Sequence, residues 1–155
     1  MKLEPVTNAS RASAEGLTVR PDQEGFVASF EKTLADAEAD QAALLRLAIV
    51  DRRPVGYLLL LPKDVDGYRV VSILRLAIDQ RWQGRGFGRQ LLETALRWID
   101  TFHPAVDLVR ISAIAKNRAA LSLYESTGFR RMGIEDGEVA LYLATRHLRK
   151  GQRQP

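Results

Sequence analysis

The chain has 155 residues, 46% hydrophobic and 27% charged, enough for one globular domain with its own core. It has no cysteine and only two histidines, His103 and His147, so disulfides, iron–sulfur clusters, thiolate zinc sites and a cysteine nucleophile are excluded; a His-based metal centre or Ser-His-Asp triad is disfavoured, and no metal is expected. The net charge is +4 with Arg well ahead of Lys, which fits a biased composition, a polyanionic ligand or, less well, a nucleic-acid surface.

Residues 1–16 read as a flexible, polar, Ala- and Ser-rich tail without the apolar centre of a signal peptide. No apolar run approaches the ~20 residues that span a bilayer, so a cytoplasmic protein without membrane contact is expected. A single domain is expected over 17–147. It opens on a short strand, Leu17-Thr18-Val19-Arg20, closed by Pro21. Phe26, Phe30 and Leu34 recur at helical spacing and predict a helix over 25–37. Leu44–Val50 and Val55–Leu61 are apolar runs joined by the turn signal Asp51-Arg52-Arg53-Pro54, a hairpin in which Pro62 ends the second strand. After the turn Asp66-Gly67, Tyr68–Ile78 is a third long strand. Leu91, Leu92, Ala95, Leu96, Ile99 and Phe102 then line one face of a helix that stops before Pro104. Leu108–Ala115 is another strand. Asn117 caps a short helix that Gly128 ends, and Phe129–Ile134 and Val139–Leu143 form a last hairpin around Asp136-Gly137. Residues 148–155 read as a basic tail. The order β-α-β-β-β-α-β-α-β-β predicts an α/β (α+β) sheet with helices on both faces.

Between the Tyr68–Ile78 strand and the following helix lies Gln83-Gly84-Arg85-Gly86-Phe87-Gly88. Glycine at every second position lets backbone N–H groups converge on an anion, and the helix N-terminus adds a favourable dipole worth roughly 0.3–2 kcal/mol. Arg81, Arg85 and Arg89 surround it with positive charge. The spacing G-x-G-x-G is not the dinucleotide fingerprint, and no Gly-Lys-Ser/Thr is present for a P-loop. Taken alone, the turn is either a phosphate cradle or a tight packing of helix on sheet.

This turn resembles the Gln/Arg-x-x-Gly-x-Gly/Ala signature of the GNAT superfamily of N-acetyltransferases, and the segment Asn117–Phe129 (NRAALSLYESTGF) resembles the family's second signature, with Asn117, Ala120, Leu123-Tyr124-Glu125 and Gly128-Phe129 in register. The resemblance implies a mixed, mostly antiparallel, twisted sheet of about seven strands flanked by helices and splayed between strands four and five. It implies acetyl-CoA as donor, with the pyrophosphate on Gln83, Gly84, Arg85, Gly86, Phe87, Gly88 and Arg89. The pantetheine arm would lie along Leu76, Ala77 and Ile78 and near Asn117 and Ala120. Tyr124 would be the general acid that protonates the leaving thiolate, and a backbone N–H at Ala77 or Ile78 would meet the oxyanion. Homodimers are common in the family.

The sequence departs from the family at the base. Many members carry a Glu on strand four or five, where this chain has Ser72 and Ser112. A lysine-like amine is neutral in roughly one molecule per few thousand at pH 7, a cost near 4–5 kcal/mol, against ~1 for an α-amine. Either the acceptor has a low pKa, or water connects it to a carboxylate, with Glu31, Asp36 and Glu138 as candidates. Arg75 interrupts an apolar strand; it either pairs with a neighbour in the sheet or meets a carboxylate on the acceptor. The expected reaction is acetyl transfer to the primary amine of a small molecule. The alternatives are a protein N-terminal or lysine acetyltransferase, a non-catalytic acyl-CoA-binding module and, last, a nucleic-acid binder, for which no recognition helix is visible.

Overall fold

The computed structural model describes residues 1–146; His147 and the expected basic tail at 148–155 lie outside the described residues. Among the described residues there are seven strands: β1 Lys2–Pro5, β2 Leu44–Val50, β3 Arg53–Val65, β4 Tyr68–Ile78, β5 Leu108–Ala113, β6 Arg130–Glu135 and β7 Glu138–Ala144. Four helices accompany them: α1 Asn8–Ala14, α2 Phe30–Ala39, α3 Phe87–Phe102 and α4 Arg118–Ser126. The sheet order is β1-β2-β3-β4-β5-β7-β6, the mixed seven-stranded arrangement expected. β1–β2, β2–β3, β5–β7 and β6–β7 pair antiparallel, and β4–β5 pair in parallel. No helix among the described residues is long and apolar enough to cross a membrane.

Three hairpins follow from local chemistry. Asp51 and Arg52 (φ 47° and 64°), Asp66 and Gly67 (49° and 82°), and Asp136 and Gly137 (49° and 80°) all hold positive φ. Paired positive φ values are the mark of a tight turn whose twist matches its strands.

Several expectations are corrected. Residues 1–16 are not a loose tail. β1 pairs with β2 from Lys2↔Ile49 to Pro5↔Arg46, and α1 starts on a reciprocal cap, with Thr7 Oγ1 accepting from Ser10 N at 3.2 Å and Ser10 Oγ accepting from Thr7 N at 2.9 Å. Leu17–Arg20 is not a strand, because the Thr18 N–H goes to the Asp79 carboxylate at 2.9 Å instead of to a ladder. The seven-strand count therefore holds with β1 as its first member. α2 starts at Phe30, where Ser29 caps the Lys32 N–H at 3.2 Å, so Phe26 precedes the helix. β3 runs through Pro62 to Val65, and Pro62 lies beyond the ladder with β2, which ends at Leu60.

The chain divides into two compact units. The first comprises Met1–Leu61 and Leu74–Ala95; the second comprises Pro62–Ile73 and the chain from Leu96 onward. The core of the first unit gathers Ala14, Leu17, Phe30, Leu45, Leu47, Tyr57, Leu59 and Ala77. Within it, Phe30 meets Tyr57 edge-on with ring centroids 5.5 Å apart. In the second unit Val109, Ile111, Leu121, Phe129 and Leu141 are buried. The parallel β4–β5 ladder covers only Val70–Ile73 and Leu108–Ile111, while β4 itself runs on to Ile78.

Candidate functional site

The residues singled out above fall into two groups, one in each unit. In the first, β4 delivers Leu76, Ala77 and Ile78 to a short 3₁₀ turn over Gln80–Trp82, and the glycine segment follows into α3. Asp79 fastens this corner. Its side chain is 1% exposed and accepts from Thr18 N at 2.9 Å, Arg81 N at 3.0 Å and Arg81 Nε at 2.7 Å. Burial alone would push the Asp79 carboxyl up, but the Arg81 guanidinium and the two backbone N–H groups outweigh it and hold it below its ordinary value. Arg81 is therefore engaged by Asp79 rather than freely mobile beside the glycines.

Gln83 is engaged as well. Its amide donates to the Ile78 carbonyl at 2.9 Å and to Gln23 Oε1 at 2.8 Å, tying the turn back to the end of β4. Gly84 and Gly86 have φ of 73° and 79°, and a Cβ on either would meet nothing within 4 Å. Glycine is required here for backbone conformation, and the space beside it is open. The first-turn N–H groups of α3 have no acceptor within their own helix, the arrangement that receives phosphate elsewhere. Arg85 lies over the Trp82 ring at 5.2 Å, and Trp82 stands 6.2 Å from Phe87, so a cation–aromatic stack flanks the turn. Gly88 and Arg89 are in the first turn of α3.

Gly56 of β3 answers a different need. A Cβ there would sit 2.2 Å from the Ala77 carbonyl oxygen, so only glycine lets β3 approach β4 at this point. The β2–β3 register shifts beside it, between Ala48 and Ile49. The backbone at Ala77, expected to face the thioester, is thus positioned by a missing side chain. One residue earlier on that strand than Leu76, Arg75 donates to the Leu74 carbonyl at 2.8 Å and reaches Asp36 at 3.4 Å, while its buried Nε has no partner. Asp36 is held by Lys32, and this contact, with Arg75 nearby, keeps its carboxyl below the usual range despite partial burial. Tyr57 donates to the Ala28 carbonyl at 2.7 Å; burial and the charge of Glu31 push its phenol up to about 12, with Arg75 acting in the opposite sense.

The second unit holds the other group. Asn117 caps α4 as expected, its side chain accepting from Ala120 N at 3.3 Å. Tyr124, seven positions along, is 7% exposed, with its ring 6.3 Å from Phe129. Burial, reinforced by the negative charge of Glu138, pushes its phenol up to about 12. The hydroxyl therefore stays protonated at neutral pH. Ser112 of β5 donates to Glu138 Oε2 at 2.5 Å, across the ladder in which Ser112 lies opposite Ala140. On the same face, Arg110 binds Glu135 at 2.7 Å and Tyr142 donates to Glu135 at 3.0 Å. Ser72, expected as a counterpart of the missing strand-four Glu, is buried beside Arg110 in the parallel register.

Asp79, Gly56 and Trp82 escaped the sequence reading. An Asp directly after a long strand and two residues before an Arg is a turn-capping signal that could have flagged Asp79. Nothing local marks Gly56, because its requirement comes from another strand.

The acetyltransferase (GNAT) family model matches residues 10–129. N-acetylaspartate synthetase of Rattus norvegicus is 33% identical over 94 residues, which is 58% of this chain and 29% of that protein; the Homo sapiens protein is 33% identical over the same length, 28% of its own. The chain thus spans under a third of these curated relatives. Among solved structures, an aminoglycoside acetyltransferase in complex with coenzyme A superposes with a TM-score of 0.79 at 19% identity, covering 97% of this chain and 98% of that one. Spermidine N-acetyltransferase from Vibrio cholerae, in complex with CoA and spermine, gives 0.73 at 18% identity over 94% and 95%. Ribosomal-protein-S18-alanine N-acetyltransferase from Escherichia coli gives 0.68 at 20% identity over 93% of both chains. At these identities the likeness is one of fold.

Proposed function

The chain belongs to the acetyltransferase (GNAT) family, and on that premise we propose that it transfers the acetyl group of acetyl-CoA to the primary amine of a small molecule. The observation that carries this reading is the turn at Gly84 and Gly86, which leaves open space above a helix N-terminus in the position of the family's first signature. Bound there, acetyl-CoA supplies an activated thioester. The N–H groups of Gly86, Phe87 and Gly88 bind the pyrophosphate, and Arg85 and Arg89 add charge. Leu76, Ala77 and Ile78 orient the pantetheine arm and offer a backbone N–H to the developing oxyanion, while Asn117 and Ala120 line the arm from α4. Tyr124 holds a proton at its hydroxyl and delivers it to the departing sulfur.

Small amines are favoured as acceptors because two of the structural neighbours act on them by name, an aminoglycoside and spermidine, and the matched relatives make N-acetylaspartate. Arg75 sits in the half-buried cluster with Asp36 and would read a carboxylate or other anionic group on the acceptor. The test is thiol release from acetyl-CoA across a panel of polyamines, aminoglycosides, amino acids and an N-terminal peptide. Small amines are expected to turn over and the peptide is not; turnover of the peptide alone would move the assignment to a protein acetyltransferase. With an acidic acceptor, Arg75→Ala should raise KM about tenfold and leave the acetyl-CoA Kd unchanged. An equal effect on both ligands would remove Arg75 from the acceptor site.

A further inference from the structure

Resting on that acetyl-transfer reading, we propose that Glu138, held by the hydroxyl of Ser112, is the base that removes the proton from the acceptor's ammonium group. The acceptor's ammonium group must lose a proton before its nitrogen can attack, and neither Ser72 nor Ser112 is a base at neutral pH. Of Asp36, Glu31 and Glu138, Asp36 is neutralised by Lys32 and Arg75 and its affinity for a proton is lowered. Glu31 stands exposed in the first turn of α2. Glu138 is the one that accepts a hydrogen bond from Ser112 of β5, in the unit that carries Tyr124. It does so from β7, diagonally across the ladder, placing a carboxylate beside β5 without one in the β5 sequence.

The groups around Glu138 leave it free for this task. Glu135 lies directly opposite on β6, but its charge is taken by Arg110 and by the Tyr142 hydroxyl. Tyr124, from α4, feels the Glu138 charge and keeps its proton, so it cannot be the base itself. The two groups are also coupled. When Glu138 takes a proton, the negative charge that helps raise the Tyr124 phenol disappears, and Tyr124 becomes a better acid as the leaving sulfur needs one.

The step balances. The ammonium nitrogen gives one proton to Glu138; the neutral nitrogen forms the C–N bond to the acetyl carbon, and the C–S bond breaks. The sulfur takes the Tyr124 proton, Tyr124 recovers the second proton from the nitrogen, and Glu138 releases its own to water.

The experiment compares wild type, Glu138→Gln and Ser112→Ala, using acetyl-CoA binding by calorimetry and kcat/KM for the best amine from pH 6 to 9.5. Glu138→Gln should keep the acetyl-CoA Kd and lose about 10²-fold in kcat/KM at pH 7. Its rate should climb nearly tenfold per pH unit as the amine loses its proton to solution, while the wild-type profile is flatter. Ser112→Ala should move in the same direction by less. A Glu138→Gln profile that overlays wild type, or a rate loss matched by lost acetyl-CoA affinity, overturns the proposal. Absence of thiol release by the wild type with every amine would instead overturn the acetyl-transfer reading on which it rests.

Discussion

The two units use their residues in opposite ways. In the first, the features expected to hold the donor are made of backbone: the left-handed turns at Gly84 and Gly86, the N–H groups opening α3, and the strand end at Ala77 fitted against Gly56. Its charged side chains there are largely spent on one another, as with Asp79 and Arg81. In the second unit the proposed chemistry would be carried by side chains, Tyr124 and the Ser112–Glu138 pair, on an ordinary helix and ordinary strands. Binding built from backbone is sensitive to a change of backbone conformation at Gly84 and Gly86 and to an added atom at Gly56, whereas proton transfer built from side chains is sensitive to the loss of one.

That contrast can be broken most sharply at Tyr124. Tyr124→Phe keeps the ring against Phe129 and deletes the hydroxyl, so kcat should fall about 10²–10⁴-fold, roughly 3–5 kcal/mol of barrier, with the acetyl-CoA Kd and the melting temperature unchanged. Loss of affinity in step with turnover would place Tyr124 among the binding residues instead. Gly56→Ala tests the other side. One methyl group driven against the Ala77 carbonyl should cost about 1–3 kcal/mol, read as a Tm lower by ~3–10 °C, and should weaken acetyl-CoA binding through β4. An unchanged Tm would mean that the two strands part without cost.

The smallest effect sharpens the comparison through pH. Asp79 is depressed in the folded chain, so it contributes stability that is present above the unfolded aspartate value near ~3.9 and is lost as pH falls through its folded value. Asp79→Asn should therefore flatten the acid limb of stability, measured by urea unfolding between pH 6 and 3. Tyr124, raised rather than lowered, works at the opposite end: stability is lost only above about pH 10, where the phenol of the unfolded chain ionises and the buried one does not, so it plays no part in that acid limb.

Much of this architecture was legible because it is local. β2, β4, the hairpins at Asp66-Gly67 and Asp136-Gly137 and the Asn117 cap all rest on nearest-neighbour chemistry and stand where the sequence places them. The missed edge strand and the strand wrongly expected at Leu17–Arg20 are non-local. β1 exists because β2 offers it an edge, and Thr18 leaves the sheet because Asp79, 61 residues away, takes its N–H. The same holds for the site. The glycine segment and Tyr124 announce themselves by motif, whereas the pairing of Ser112 with Glu138 is visible only once β5 and β7 lie side by side.

The glycines themselves set different rules for inheritance. At Gly84 and Gly86 the constraint is handedness and the space is open, so saturation mutagenesis should rank replacements by their tolerance of left-handed backbone: Asn and Asp ahead of Ala, and the β-branched residues last. At Gly56 the constraint is volume, and every replacement a single codon change can make adds the forbidden atom. A lineage of this protein is therefore held at positions 84 and 86 by a graded conformational cost and at position 56 by an absolute limit of volume.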